Sequence, residues 1–99
     1  MAYELKITAS AEKDLDTILS YIVRKLCNPQ AAGHLLDEFT GLYRKLAENP
    51  MAYPACSRPL LRKFRKAVVM RYVVIYRVDQ STVYIERIFS QLEDYVHKM

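Results

Sequence analysis

Two kinds of hydrophobic repeat follow one another along the chain. Residues 3–8 alternate between apolar and polar side chains, which predicts a half-buried strand. Apolar side chains then recur three and four positions apart over residues 11–26 and again over residues 29–48, which predicts two amphipathic helices. Ser10 is the predicted N-cap of the first helix and Asn28 that of the second. Because the connection between the helices is short, we expect an antiparallel helical hairpin.

The second half of the chain changes to strand-like patterns. Residues 64–70 and 72–78 are candidate strands, and the second is almost continuously apolar, as expected of a central strand covered by helices. Residues 82–89 alternate again. This alternation assigns one face of the last strand to Val83, Ile85 and Arg87 and the other face to Tyr84, Glu86 and Ile88. A short helix is predicted from Gln91 to His97.

The order of these elements predicts an α+β fold. An N-terminal strand precedes a two-helix antiparallel hairpin, which packs on a mostly antiparallel four-stranded sheet in the order β-α-α-β-β-β, with a short C-terminal helix. A length of 99 residues suits a single domain that spans the whole chain, residues 1–99.

Composition narrows the class of protein. An apolar fraction of 52% with only two glycines argues against disorder. Cys27 and Cys56 lack the spacing of a metal site and are interpreted as free thiols in a reducing compartment. Glu4 and Lys6 interrupt the first apolar stretch, so it does not resemble a signal peptide, and no apolar run has the length of a membrane helix. We therefore expect a cytoplasmic protein with no metal, cofactor or membrane partner.

The charge is divided unevenly along the chain. Seven cations and no acid lie between Asn49 and Val78, whereas the rest of the chain has 8 basic and 11 acidic residues. A one-sided basic region attracts nucleic acid or an acidic protein. A solvated basic surface without a ligand is the alternative interpretation.

Short motifs follow one another in a set order along nearly the whole chain. They are Ser10-Ala11 with Asp14-Leu15, Ile18 with Tyr21, Pro29-Gln30-Ala31-Ala32, Leu46 with Asn49-Pro50, Tyr53-Pro54, residues 72–78, residues 83–89 and Asp94-Tyr95. In this order and spacing the sequence resembles the RelE/ParE superfamily of toxins. The resemblance implies a toxin of a type II toxin–antitoxin pair that a cognate antitoxin protein holds inactive.

The resemblance leaves three activities open. RelE-like members cut messenger RNA on the ribosome without a metal, and a ribosome-dependent mRNA endoribonuclease that blocks translation is the first hypothesis. ParE-like members instead inhibit DNA gyrase without catalysis, which is the alternative. An inactive relative that only binds its antitoxin is the third hypothesis.

Metal-free RNA cleavage requires a proton acceptor, cations at the phosphate and a donor for the leaving oxygen. The resemblance implies that the catalytic candidates are Lys63, Arg65, Arg71, Glu93 and Tyr95. The candidates for RNA binding are Tyr53, Arg58, Arg62, Lys66, Arg77 and Arg87.

Each of these roles has a structural alternative. An unpaired charge in an apolar strand is costly, so the arginines of the last two strands are equally expected to pair with Glu86 or another acid. The alternative interpretation of Tyr95 is an aromatic side chain of the C-terminal tail that packs on the sheet. Many relatives carry a basic residue just before the terminal Asp-Tyr, but residues 90–95 contain none, which favours the non-catalytic hypothesis.

Overall fold

The computed structural model describes residues 3–55 and 63–90. Arg58, Arg62, Glu93, Tyr95 and the predicted C-terminal helix lie outside the described residues. The elements in chain order are β1 (Glu4–Ile7), α1 (Ala9–Arg24), α2 (Pro29–Glu48), a short 3-10 helix (Pro50–Ala52), β2 (Arg65–Val69), β3 (Tyr72–Asp79) and β4 (Thr82–Ser90). This order confirms the predicted α+β arrangement.

The four strands form one sheet in the order β1-β4-β3-β2. β1 pairs in parallel with β4, while β4 with β3 and β3 with β2 pair antiparallel. The first strand therefore lies beside the last, and the helical hairpin between β1 and β2 covers one face of the sheet. β2 forms the opposite edge.

β3 contributes buried side chains to both faces of the sheet. Val74 and Tyr76 belong to the main core with the helix residue Phe39, and all three are fully buried. Val73 and Ile75 belong to a second, smaller cluster on the other face, which also includes Phe89 and the partly buried Phe64. Burial on both faces explains why β3 is almost continuously apolar.

A β-bulge interrupts the alternation of β4. Tyr76 pairs with Ile85 and the preceding Ile75 pairs with Arg87, so Glu86 is an extra residue in β4. Ile88 consequently joins Ile85 in the main core, whereas Arg87 lies opposite Ile75 on the outer face. The prediction that Val83, Ile85 and Arg87 share one face, with Tyr84, Glu86 and Ile88 on the other, is therefore wrong beyond the bulge. The extra residue reverses the orientation of the side chains that follow it.

The N-cap of α1 is Thr8 and not Ser10, which lies inside the first turn. Thr8 has an extended backbone, and its Oγ1 accepts a hydrogen bond of 3.2 Å from the N–H of Ala11. The same hydroxyl donates to the backbone oxygen of Glu86 at 3.0 Å. The cap therefore also fastens the start of α1 to the bulge, which a cap at Ser10 would not do.

Two tyrosines bury their hydroxyls in different ways. The hydroxyl of Tyr76 donates to the backbone oxygen of Pro50 at 2.6 Å and fixes the 3-10 helix after α2. The hydroxyl of Tyr43 is buried and has no hydrogen-bond partner within the described part of the chain. Burial raises the pKa of each phenol to about 12.

We predict that Thr8→Ala lowers the free energy of unfolding by about 1–2 kcal/mol, because the N–H of Ala11 loses its acceptor and β4 loses a contact. Ser10→Ala is the matched control and should change it by less than about 0.5 kcal/mol. Urea unfolding of both variants measures the difference. Equal losses of unfolding free energy in the two variants would contradict the assignment of the N-cap to Thr8.

We predict that the two buried tyrosines respond differently to loss of the hydroxyl. Tyr76→Phe should cost about 1–2 kcal/mol at neutral pH because the Pro50 oxygen loses its donor, whereas Tyr43→Phe should be neutral or stabilising.

Each phenol titrates near pH 10 in the unfolded chain but at about 12 in the folded protein, so stability falls as the pH rises between these values. Each variant should therefore lose less stability than the wild type between neutral pH and about pH 11. An identical alkaline loss in all three proteins would contradict the assigned burial.

Candidate functional site at the basic β2 edge

Four of the predicted site residues lie along β2 and its turn to β3. Lys63 precedes the strand, Arg65 and Lys66 begin it, and Arg71 lies in the turn that follows it. The side chains of Lys63 and Arg71 are exposed, whereas Arg65 and Lys66 are half-buried. The structure therefore gathers these cations at one edge of the sheet.

Arg65 holds the preceding loop against β2. Its Nη1 donates to the backbone oxygen of Tyr53 at 2.5 Å. The next amide, that of Lys66, donates to the oxygen of Pro54 at 3.1 Å, and Ala55 forms an antiparallel bridge with Arg65. Residues 53–55 thus cover the first half of the β2 edge, and Arg65 has a structural function in addition to its charge.

The aromatic residues beside this edge differ in exposure. Lys63 places its Nζ 5.2 Å from the centroid of the Phe64 ring, which favours the cation because of the ring quadrupole. Tyr53, one of the candidates for RNA binding, is half-buried and packs against the main core. Its ring is therefore partly committed to the fold.

The two arginines of the last strands are held by carboxylates of the chain. Arg77 Nε lies 2.5 Å from Glu86 Oε2, and Arg77 Nη1 lies 3.9 Å from Asp79 Oδ2. The hydrogen bond to Glu86 is the main cause that raises the pKa of the Arg77 guanidinium. Arg87 donates from Nε and Nη2 to Asp14 at 2.8 and 3.2 Å. The salt-bridge alternative is therefore the arrangement observed for both arginines.

Aromatic rings complete the surroundings of both arginines. The guanidinium carbon of Arg77 lies 4.1 Å from the centroid of Tyr84, and that of Arg87 lies 4.7 Å from the centroid of Phe89. Each planar cation is thus placed between a carboxylate and a ring, an arrangement that satisfies its charge within the protein.

Asp14 is a residue that sequence reasoning did not assign to the site. Its carboxylate accepts the two hydrogen bonds from Arg87 and a third, of 3.0 Å, from the amide of Ile88. β1 ends at Ile7, opposite Ile85, so none of the described strands pairs with β4 on that side beyond the bulge. Asp14 supplies the missing acceptor from α1. The only sequence signal was its position in the motif Asp14-Leu15.

A groove of about 500 Å³ lies between α2 and the β2 edge, and we refer to it as the α2–β2 groove. It is lined by the α2 residues His34, Asp37, Glu38, Gly41, Leu42 and Lys45, and by Tyr53, Val68, Val69 and Met70. Apolar side chains and exposed charged side chains of α2 both contribute to this lining.

Residues 3–55 and 63–90 contain no group of three or more His, Cys, Asp or Glu side chains arranged to hold a metal ion. Within the same part of the chain, no helix has the length and apolar character needed to cross a membrane.

A protein-family comparison decides the class of the molecule. The sequence-family model described as the ParE toxin of the type II toxin–antitoxin system, parDE, matches residues 5–95 of the chain. The chain belongs to the ParE toxin family. It is thus a toxin of a type II toxin–antitoxin system, which confirms the resemblance to the RelE/ParE superfamily.

Solved structures share the fold of this ParE-family toxin. A chain of the chromosomal ParDE system from P. aeruginosa is 22% identical with a TM-score of 0.74, covering 90% of this chain and 96% of that one. A chain of the RelBE2 toxin–antitoxin complex from Mycobacterium tuberculosis is 22% identical with a TM-score of 0.66, covering 94% and 95%. YafQ from E. coli is 16% identical with a TM-score of 0.61, covering 90% and 93%. No curated protein sequence matches the chain significantly.

We predict that Asp14→Ala lowers the free energy of unfolding by about 2–3 kcal/mol, because Arg87 and the amide of Ile88 both lose their acceptor. Asp16→Ala, at an exposed position of the same helix, is the control and should cost less than about 0.5 kcal/mol. Chemical denaturation measures both variants. A loss at Asp14 no larger than at Asp16 would show that the Asp14 carboxylate does not stabilise the fold.

Proposed function

We propose that this toxin acts by binding and inhibiting a protein target, DNA gyrase, and not by cutting RNA. The observation that carries the proposal is the pairing of both strand arginines with carboxylates of the chain. Each pair is close to neutral as a unit, so neither arginine is presented as an uncompensated cation.

The transition state of phosphodiester cleavage is stabilised by cations placed where negative charge develops. Glu86 and Asp14 lie within 2.8 Å of Arg77 and Arg87, two of the candidates for RNA binding, and their carboxylates repel a phosphate. A protein–protein interface accepts such pairs, because paired charges set orientation and specificity without requiring a free cation.

Two further observations support the gyrase proposal. Residues 90–95 contain no basic residue before the terminal Asp94-Tyr95, where many RelE-like relatives carry one. The matching family model is that of the ParE toxin, and the ParDE structure has a higher TM-score than the RelBE2 and YafQ structures.

We also propose that a cognate antitoxin protein binds this toxin. The similar structures from P. aeruginosa and M. tuberculosis are described as a ParDE toxin–antitoxin system and as a RelBE2 toxin–antitoxin complex. The acid-free stretch from Asn49 to Val78 suits a partner with acidic segments.

A ribosome-dependent endoribonuclease is the second candidate. It is favoured by the cations of the β2 edge, Lys63, Arg65 and Arg71. Among the described residues, no carboxylate lies within 4.0 Å of their charged groups. In this scheme Glu93 accepts the proton of the 2′-OH and Tyr95 orients the reacting hydroxyl.

We predict that purified toxin inhibits DNA supercoiling by gyrase in proportion to its concentration, and that antitoxin restores supercoiling. In a translation extract the same toxin should leave mRNA intact. Unchanged supercoiling in a large excess of toxin would overturn the gyrase proposal.

Unchanged supercoiling together with codon-associated cuts would establish the endoribonuclease instead. In that case, Arg65→Ala combined with Tyr95→Phe should sharply reduce the cuts. Unchanged supercoiling with intact mRNA would leave the inactive relative, whose expression without antitoxin is harmless to growth.

A further inference from the structure

The outer face of the sheet, opposite the two helices, carries a cluster of polar side chains from three strands. Arg77 of β3 lies opposite Tyr84 of β4, and Tyr84 lies opposite Lys6 of β1. The residues on either side of each of these three belong to the main core or pack against it, so the alternation of the strands directs the three side chains outward. We refer to Lys6, Arg77, Tyr84 and Glu86 as the outer-face patch.

Three groups of the toxin hold the Arg77 guanidinium in one position. Its Nε donates to Glu86 Oε2 at 2.5 Å, and its central carbon lies 4.1 Å from the centroid of the Tyr84 ring. Asp79 adds a carboxylate oxygen 3.9 Å from Nη1. The Arg77 side chain is nevertheless 33% exposed. Because a side chain that is already held loses little conformational entropy on binding, Arg77 is preorganised for an acceptor on another molecule.

The hydrogen-bonding capacity of Arg77 is only partly used inside the toxin. The separation of 3.9 Å between Nη1 and Asp79 is too long for a hydrogen bond. Within the part of the chain that the structure describes, only Nε of Arg77 donates a hydrogen bond. Arg87 differs, since its Nε and Nη2 both donate to Asp14. Of these two arginines, Arg77 therefore has more N–H groups left for a partner.

The charge of the outer-face patch determines which acceptors suit these N–H groups. Arg77 and Glu86 together are close to neutral, and the carboxylate of Glu86 repels a phosphate that approaches the guanidinium. An amide carbonyl oxygen carries no net charge, so it accepts from Nη1 and Nη2 without this repulsion. Carbonyl oxygens are the common acceptors of a protein surface. The patch therefore suits a protein partner better than the backbone of a nucleic acid.

The residue types of the patch are also those that dominate the binding energy of protein interfaces. Arginine and tyrosine are enriched at such positions, because each combines a large planar surface with hydrogen-bond donors. Tyr84 is half-buried and stacks on Arg77, whereas Lys6 is exposed beside them. A rigid central pair with a charged residue at its margin is the usual arrangement of a protein-binding centre.

We propose that the outer-face patch is the surface through which this toxin binds DNA gyrase. Nη1 and Nη2 of Arg77 donate to uncharged carbonyl oxygens of gyrase, and Tyr84 is a positioning residue that holds the guanidinium. This inference rests on the gyrase proposal and deepens it, because it names the toxin side chains that recognise the target.

The test compares Arg77→Lys with Arg44→Lys in the gyrase supercoiling assay. Lysine keeps the positive charge beside Glu86 but removes the planar guanidinium, so the toxin concentration that halves supercoiling should rise at least about tenfold. Arg44 is exposed on α2, in the helical layer, and Arg44→Lys should inhibit like the wild type. Thermal melting of both variants checks that they are folded.

The outcomes separate this inference from the function on which it rests. If the wild type inhibits gyrase and folded Arg77→Lys inhibits equally well, the outer-face patch is not the gyrase surface, while the gyrase proposal stands. If the wild type does not inhibit gyrase, both are overturned. Equal losses in Arg77→Lys and Arg44→Lys would show a general need for arginine and would also contradict the patch.

A double-mutant cycle tests the positioning function of Tyr84. Tyr84→Leu keeps an apolar side chain but removes the aromatic face, so alone it should raise the half-inhibiting concentration about threefold. In the Arg77→Lys background the same substitution should have little further effect, because the guanidinium that it positions is already absent. An equal increase in both backgrounds would show that Tyr84 does not act through Arg77.

Discussion

The extra residue Glu86 in β4 determines which side chains of this strand lie on each face of the sheet. Glu86 interrupts the pairing with β3, and the side chains after it change faces. Its backbone oxygen accepts a hydrogen bond from the hydroxyl of Thr8, and its carboxylate accepts one from Arg77. In the two residues that follow, the side chain of Arg87 and the amide of Ile88 both donate to Asp14. The bulge therefore joins α1, β3 and β4 by hydrogen bonds as well as by apolar packing.

This arrangement has an electrostatic consequence for function. The chain has a formal charge of +4, but the arginines of β3 and β4 are matched by nearby carboxylates. Lys66 at the β2 edge takes part in a further interaction. For the other cations of this edge and its turn, no carboxylate among the described residues lies within 4.0 Å of the charged group. Positive charge is thus concentrated at the edge strand, where it suits recognition of an acidic protein surface.

The helices and strands could be predicted because each carries a periodic apolar pattern of local origin. The predicted second helix, residues 29–48, coincides with α2, and each strand agrees to within about two residues. The N-cap was misplaced because Thr8 and Ser10 are both suitable capping residues, and the choice depends on the distant oxygen of Glu86. The turn at Met70 lacks glycine or asparagine and is made by a residue at a φ of 54°, so it gave only a weak signal.

The sequence could predict only those parts of the candidate site whose residues are near neighbours along the chain. The cations near β2 lie close together because they are near neighbours along the chain. The partner of Arg87 lies 73 residues away, on α1, and no periodic pattern connects them. The bulge that orients Arg87 likewise has no signature in an alternating sequence, because Glu86 is compatible with an ordinary strand.

The pairing of Arg77 with Glu86 and of Arg87 with Asp14 makes both strand arginines unavailable to a phosphate. The most direct measurement is the salt dependence of binding to a short single-stranded RNA, compared between wild type, Arg77→Gln and the exposed control Arg71→Gln. Arg77→Gln should leave the slope of log affinity against log salt unchanged. A slope reduced by about 0.7, as expected for one lost phosphate contact, would contradict it.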